Sequence, residues 1–297
     1  MRILTVGECT LDHFGVVERF LEPDFEVEMS KFSVQGGGCA ATAAVTASRW
    51  GAETRFAGKT GSDARGDLIE MTLADEGVDT SALIHEGGAV SQFRFILVEA
   101  GTGRKKTVFT RGSVSPLDSA EVDSGLLDGV DVVLVDGAQR AAQLELIGAA
   151  RERDIRVVFV ANSRQRDAQA LVDGADYLVA SERFASEFAG VGRLEKLCET
   201  LLERGLKGVA VTMGDEGVVG MCSTDGALIR QEAYPVDVVD STGAGDVFAG
   251  AFTYGLLHDW DFERVISVAN RAGAMSCTDI GSRSAIPSLA DVEAAGA

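Results

Sequence analysis

The residues whose types and spacing could do chemistry lie in Asp240-Ser-Thr-Gly-Ala-Gly-Asp246, followed by Val-Phe-Ala-Gly-Ala-Phe252. Tyr234 to Val239 approaches as an extended, β-branched run, and Val247 to Leu257 continues small and apolar at helical spacing. This pattern predicts a strand turning into a helix at the glycines. The first N–H groups of a helix have no partner within it, and the positive end of the helix dipole lies behind them. Gly243 and Gly245 carry no side chain, so an anion can approach the amides of Gly243, Ala244 and Gly245 closely. Asp246 then stands in the first turn beside that anion. A carboxylate is a poor phosphate ligand but a suitable general base for a hydroxyl attacking a phosphate. A short G-x-G-D can also be a tight turn with a first-turn acid; the length of the string here favours the chemical reading. No G-x-x-x-x-G-K-[ST] string occurs, and a dinucleotide G-x-G-x-x-G fails at Phe248.

Other segments must position these residues. Ile3 to Val6 reads as a short central strand ending at Gly7. The next loop carries Asp12, and ligands in parallel α/β sheets bind at the carboxyl ends of strands. Asp12 is thus placed to meet a ligand, or else satisfies nearby backbone as a turn residue. Phe25, Val27 and Met29 alternate with Glu26, Glu28 and Ser30 at period two. Ser91 to Val98 and Arg104 to Thr110 flank a Gly-containing turn and predict a hairpin. Both regions, about 13–35 and 89–112, read as one small sheet inserted into the main body, with edge strands of the main sheet as the alternative. Gly36-Gly-Gly38 opens an Ala-rich helix reaching Trp50, and Gly58-Lys-Thr-Gly61-Ser-Asp63-Ala-Arg-Gly66 follows. Residues 114–230 alternate strands and helices, which predicts a mostly parallel sheet covered on both faces. Thr212-Met-Gly214-Asp-Glu-Gly217 is a strand end with bare backbone or a hairpin turn. The helix predicted over 261–277 carries Asn270, Ala272 and Gly273, small enough for a flat ligand or for close helix packing. No repeat or linker divides the chain, so one α/β domain over 1–297 is expected.

Composition excludes several functions. A net charge of −19 argues against nucleic-acid binding, which needs basic surface to displace counterions. Any phosphate site must be locally positive, from N–H groups, Mg²⁺ and a few basic residues. Five cysteines without a C-x-x-C fit a reducing, cytoplasmic setting, and three histidines without clustered ligands argue against a zinc site. Met1 to Val6 reads as a strand rather than a leader, and no apolar run has the length to span a bilayer.

The string D-S-T-G-A-G-D resembles the C-terminal signature of the ribokinase/PfkB carbohydrate kinases, and the Gly36 to Gly66 region resembles their N-terminal signature. The resemblance covers nearly the whole chain. It implies a ribokinase-like three-layer α/β/α fold with a small β-sheet lid, often used for dimer contact. It implies an ATP-dependent sugar kinase in which Gly243, Ala244 and Gly245 form an anion hole and Asp246 is the base. Asp12, Gly37, Gly38 and Thr42 would meet the sugar, with Gln92, Arg94 and Arg111 reaching in from the lid. Thr212, Gly214, Gly217, Asn270 and Gly273 would lie at the nucleotide, with Mg²⁺ on its phosphates. The loop from Gly281 to Pro287, with Asp240 and Thr242, would hold an alkali cation such as K⁺. The chain departs from the family where two sugar-binding asparagines become Cys39 and Thr42, and where N-x-x-E becomes Ser181 and Phe184, leaving Glu182 as the nearby acid. These departures most resemble the branch holding ketohexokinase and sulfofructose kinase, so a ketohexose-like acceptor is expected. A nucleoside kinase, or a non-catalytic sugar sensor on the same fold, is the alternative. A homodimer through the lid is the expected assembly.

Overall fold

The computed structural model describes residues 1–20, 24, 26–162, 168–190 and 192–296. In chain order its strands are β1 (Arg2–Val6), β2 (Thr10–Val17), β3 (Met29–Gly37), β4 (Glu53–Gly61), β5 (Asp79–Glu86), β6 (Phe93–Glu99), β7 (Lys105–Thr110) and β8 (Val132–Val135). They continue with β9 (Arg156–Ala161), β10 (Tyr177–Ser181), β11 (Gly208–Thr212), β12 (Val218–Cys222) and β13 (Leu228–Gln231). The helices are α1 (Cys39–Arg49), α2 (Ala64–Ala74), α3 (Arg140–Arg151), α4 (Gln169–Gly174), α5 (Glu182–Ala189), α6 (Leu194–Leu202), α7 (Ala244–Leu257), α8 (Phe262–Met275) and α9 (Leu289–Ala294).

Nine strands form the main sheet in the order β13-β12-β11-β10-β9-β8-β1-β4-β5. The seven from β11 to β5 run parallel, and β12 and β13 close the edge antiparallel. Strand side chains alternate between faces, so consecutive residues enter different cores. Ile3, Val132, Leu134, Val158 and Val160 pack with α1, α7 and α8. Leu4, Val6, Val133, Val135 and Phe159 pack with α3, α4 and α6. Both faces of the central strands are therefore buried, which explains their unbroken apolar runs.

The second sheet has four strands in the order β3-β2-β6-β7, with a parallel β2–β6 pair at its centre. It runs from Thr10 to Gly37 on its first limb, so it takes in Asp12, which is expected in a loop but lies on β2. The alternating run expected from Phe25 begins as a strand at Met29; Val27 precedes it and Phe25 lies outside the described residues. Register places Gln35, Asp12, Arg94 and Phe109 in one row across the sheet. On the same face Phe14, Ile96 and Val98 pack on Ile280, which seats the sheet on the body beside the Gly281–Pro287 loop.

The approach to the glycine loop differs from expectation. Residues 232–239 form no strand, and Val238 and Val239 stay exposed. The segment is tied instead by Val239 and Asp240 N–H groups donating to the Cys277 carbonyl.

Candidate active site

The glycine loop ends on Gly243 in the left-handed region (φ 83°), and α7 begins at Ala244 with no side-chain cap. Among the described residues the amides of Gly243 and Gly245 have no protein acceptor, and Ala244 N makes only a 3.5 Å contact with Ser241 O. These orphan donors face the same way as the helix dipole. A Cβ on Gly245 would meet nothing within 4 Å, whereas one on Gly243 would lie 2.7 Å from Ser282 Cβ. Gly245 thus borders open space, and Gly243 packs on the closing loop. The α7 helix behind them is buried from Val247 to Leu257, so the loop has a rigid base. Gly250 sits against the Ala43 carbonyl, which lets α7 cross α1 at close range.

Asp246 keeps a window to solvent, yet the packing round it removes enough water to push its carboxyl up to about 6. Burial is the main cause; a hydrogen bond from Cys39 and the nearby Arg94 charge oppose it, while Glu8 and Asp136 add to it. Such a carboxylate is ionised at neutral pH and basic enough to take a proton from a hydroxyl.

Asp12 is buried and accepts a 2.7 Å hydrogen bond from Thr10 Oγ1. Burial raises its pKa, with Arg94 opposing. A Cβ on Gly37 would come 2.1 Å from Asp12 Oδ2, so the bare backbone of Gly37 makes room for that carboxylate. Gly38 has φ 95° and a Cβ there would strike the Glu8 carbonyl at 2.2 Å, a position for glycine alone. Helix α1 lacks a side-chain cap of its own; Asp136, from the end of β8, accepts from Glu8 N (2.7 Å) and Ala40 N (3.2 Å) and caps it from across the sheet. Cys39 therefore enters the cleft beside Asp246 on an anchored helix start.

Two of the lid residues reach the site's carboxylates, and Arg94 feels the charges of Glu8, Asp12 and Asp246. Arg94 forms a short ion pair with Glu8 (2.5 Å) and Gln92 donates to Glu8 Oε1 (3.2 Å) and Cys9 O (3.1 Å). Both fasten the lid to the end of β1. Arg111 is exposed, its guanidinium 5.9 Å from the Phe109 ring. Thr42 is fully buried, and its hydroxyl accepts from Arg283 Nε at 3.4 Å while Arg283 Nη2 donates to Gly37 O at 3.2 Å. Arg283 is 5% exposed, and burial depresses its pKa to about 10. Sequence reasoning missed Glu8, Asp136 and Arg283. Glu8 and Asp136 lie at the carboxyl ends of β1 and β8, and the rule applied to Asp12 would have found them. Arg283 stands in a Gly/Ser-rich loop and gives no local signal.

On the nucleotide side, Thr212 ends β11 and Gly214 opens to empty space with φ 64°. Gly217 is required by the hairpin to β12, since a Cβ would lie 2.1 Å from Gln231 O. Asn270 donates to Glu232 O at 2.7 Å, and Gly273 faces Ala244 O, where a Cβ would sit at 3.0 Å. Gly273 therefore lets α8 lie close against the start of α7. Ser181 caps α5 through Phe184 N, and Phe184 is buried against Phe159 and Phe188. This explains the lost N-x-x-E: the positions have become a cap and a core residue. Asp240 is fully buried; Oδ1 accepts from Thr242 N (2.9 Å) and Thr242 Oγ1 (2.7 Å), and Oδ2 accepts from Gly281 N (3.0 Å). It ties the glycine loop to the closing loop.

The pfkB family carbohydrate kinase model matches residues 1–289. The chain belongs to the PfkB carbohydrate kinase family. It is 27% identical to a ribokinase of Haemophilus influenzae over 96% of this chain and 95% of that one. It is also 27% identical to a 5-dehydro-2-deoxygluconokinase of Bacillus licheniformis, over 98% and 94%. The structure resembles ribokinase from Thermotoga maritima with a TM-score of 0.83 and 27% identity, over 99% and 98% of the two chains. A PfkB kinase transfers phosphate to an alcohol group, and this chain is a carbohydrate kinase with a ribokinase-like fold.

Proposed function

We propose that this kinase transfers the γ-phosphoryl group of ATP to a primary hydroxyl of a small, ketohexose-like sugar, with Asp246 as the general base. The observation that carries this reading is a carboxylate with a pKa of about 6 in the first turn of a helix whose leading amides lack acceptors. The acceptor hydroxyl would lie between Asp246 and the transferring phosphorus, and Gly243, Ala244 and Gly245 would hold the γ-phosphoryl oxygens. Asp12, Gly37 and Gly38 would border the sugar, and Arg283 would hold Gly37 and Thr42 in place. Gly214, Thr212 and the Asn270–Gly273 side of α8 would border the nucleotide.

Among the described residues no group of three or more His, Cys, Asp or Glu could hold a metal. Mg²⁺ would arrive on the ATP phosphates, which suits an ion that keeps waters and takes few protein ligands. It would neutralise part of the phosphate charge. A K⁺ ion would take Asp240 and Thr242 as ligands, in competition with the bonds Asp240 makes to Thr242 and Gly281. Dimerisation through the lid is supported by its outer face, where Phe32, Val34 and Val108 are 53, 43 and 68% exposed. A cytoplasmic location accords with five free cysteines.

An ADP-release assay with Mg-ATP and a panel of ketohexoses, pentoses, sugar acids and nucleosides tests the proposal. Turnover of ketohexoses above the other classes is expected. Turnover of nucleosides alone would refute the sugar reading. No turnover, together with sugar-induced thermal stabilisation, would favour the sensor.

A further inference from the structure

We infer that Lys105, on lid strand β7, is a phosphate-contacting residue that reaches over the anion hole and stabilises the γ-phosphoryl during transfer. The inference rests on the reading of Gly243–Gly245 as the anion hole. Lys105 shares a row with Lys31, Val16 and Val98 on the face of the lid that sits on the body. Its ammonium lies 3.2 Å from Thr242 Oγ1 and 3.4 Å from Ser241 Oγ, the two residues just before the hole. Thr242 Oγ1 in turn donates to buried Asp240, so this hydroxyl is oriented to accept from Lys105. The next turn of the lid reinforces the placement: Gly103 approaches Val239 O and Val238, so the tip of the β6–β7 hairpin rests on the segment leading into the loop.

Charge makes the position informative. The chain carries −19, and a triphosphate entering this site needs local positive charge. Arg283, on the closing loop, is buried and spent on Thr42 Oγ1 and the Gly37 carbonyl, Lys106 lies over the Phe20 ring on the other lid face, and three further cations have carboxylate partners. Arg94 pairs with Glu8, Lys31 with Asp279, and Lys59 with Glu121 and Glu86. Lys105 has no salt bridge among the described residues; its contacts are two neutral hydroxyls at the edge of the hole. An ammonium on a flexible stem can leave weak hydroxyl contacts for a phosphate oxygen with little loss. The positions where the family usually carries N-x-x-E are here a helix cap and a core phenylalanine, so that motif does not organise the phosphates. A lid cation fits the remaining need, and it would couple lid closure over the sugar to stabilisation of the phosphate. In the transfer, the acceptor oxygen–phosphorus bond forms, the bond from the γ-phosphorus to its bridging oxygen breaks, the hydroxyl proton passes to Asp246, and ADP leaves.

The test compares Lys105→Met, Lys105→Arg and Lys106→Met in the full-length enzyme, with kcat and KM for ATP and for the best acceptor from the panel. Lys106 is the control: it lies on the opposite lid face, 4.5 Å over the Phe20 ring. Lys105→Met is expected to lower kcat roughly 100- to 1000-fold, as loss of one transition-state donor does. The acceptor KM should change little, Lys105→Arg should recover most of kcat, and Lys106→Met should match wild type. A Lys105→Met enzyme within about twofold of wild-type kcat would overturn the inference, as would an equal loss in Lys106→Met. If Asp246→Asn is inactive while Lys105→Met is unimpaired, the inference fails and the kinase mechanism stands. A wild-type chain silent with every acceptor would overturn both.

Discussion

Replacing Asp246 by Asn should do two opposite things, and their pH dependence separates this mechanism from a structural role. Removing a general base typically costs about 10²–10⁴-fold in rate, so kcat should fall by that order while acceptor binding persists. Stability should move the other way. The Asp246 carboxyl is displaced from 3.8 to about 6 in the fold, chiefly by loss of water. At about 1.4 kcal/mol per pH unit this amounts to about 3 kcal/mol against the ionised form. The sign follows from linkage. Below pH 3.8 folded and unfolded chains both carry the proton and nothing is lost. As pH rises through about 6 the folded carboxyl must ionise in a desolvated place, and that stability disappears. Asn does not titrate and can still accept from Cys39. Asp246→Asn should therefore match wild type near pH 4 and exceed it by up to about 3 kcal/mol at pH 8. At roughly 2 °C per kcal/mol for a chain of this size, Tm should rise by up to about 6 °C. Thermal unfolding at pH 4.5, 6 and 8, run beside the ADP-release assay, reads both effects. Turnover within tenfold of wild type would refute the base assignment. A Tm difference that does not grow with pH would refute the desolvation argument. The same pKa predicts that wild-type kcat/KM falls as pH drops below about 6.

Other expectations are independent of that one. Gly245→Ala adds a Cβ to open space, so Tm should hold while kcat falls and KM for ATP rises; Gly38→Ala, with φ 95° and a 2.2 Å clash, should destabilise the fold itself, which differential scanning calorimetry would show. Asp240→Ala removes two hydrogen bonds within the glycine loop and one from it to the closing loop, about 1 kcal/mol each, and should lower stability by about 3 kcal/mol in urea titration. Adding KCl against choline chloride tests whether the same residue holds a cation, with potassium-dependent turnover as the positive result. Val108→Asp on the exposed lid face should convert a dimer to a monomer in size-exclusion chromatography; an unchanged elution volume would refute the lid interface.

The sequence by itself determined whatever a few neighbouring residues encode. The glycines before α7, the first-turn Asp246, the Gly36–Gly38 entry to α1 and the β6–β7 hairpin were legible because turn chemistry and hydrophobic period act over less than ten residues. Alternating strands and helices over 114–230 implied the parallel sheet for the same reason. Local pattern misled where the outcome depended on what else was near. The β-branched run before Asp240 forms no strand, its Val239 and Asp240 N–H groups going to the Cys277 carbonyl instead. Partner choice was decided only in the tertiary structure. Asp136 caps a helix that starts 97 residues earlier, in the sense that its oxygen meets Ala40 N at a separation of 96 positions. Arg94 turns to Glu8, Arg283 to Thr42 and Gly37, and Lys105 to Thr242, across 86, 241, 246 and 137 positions. Charge and hydrogen-bonding capacity are properties of each side chain, but the group that satisfies them is whichever one the folded sheets bring within 3 to 4 Å, and no spacing along the chain records that.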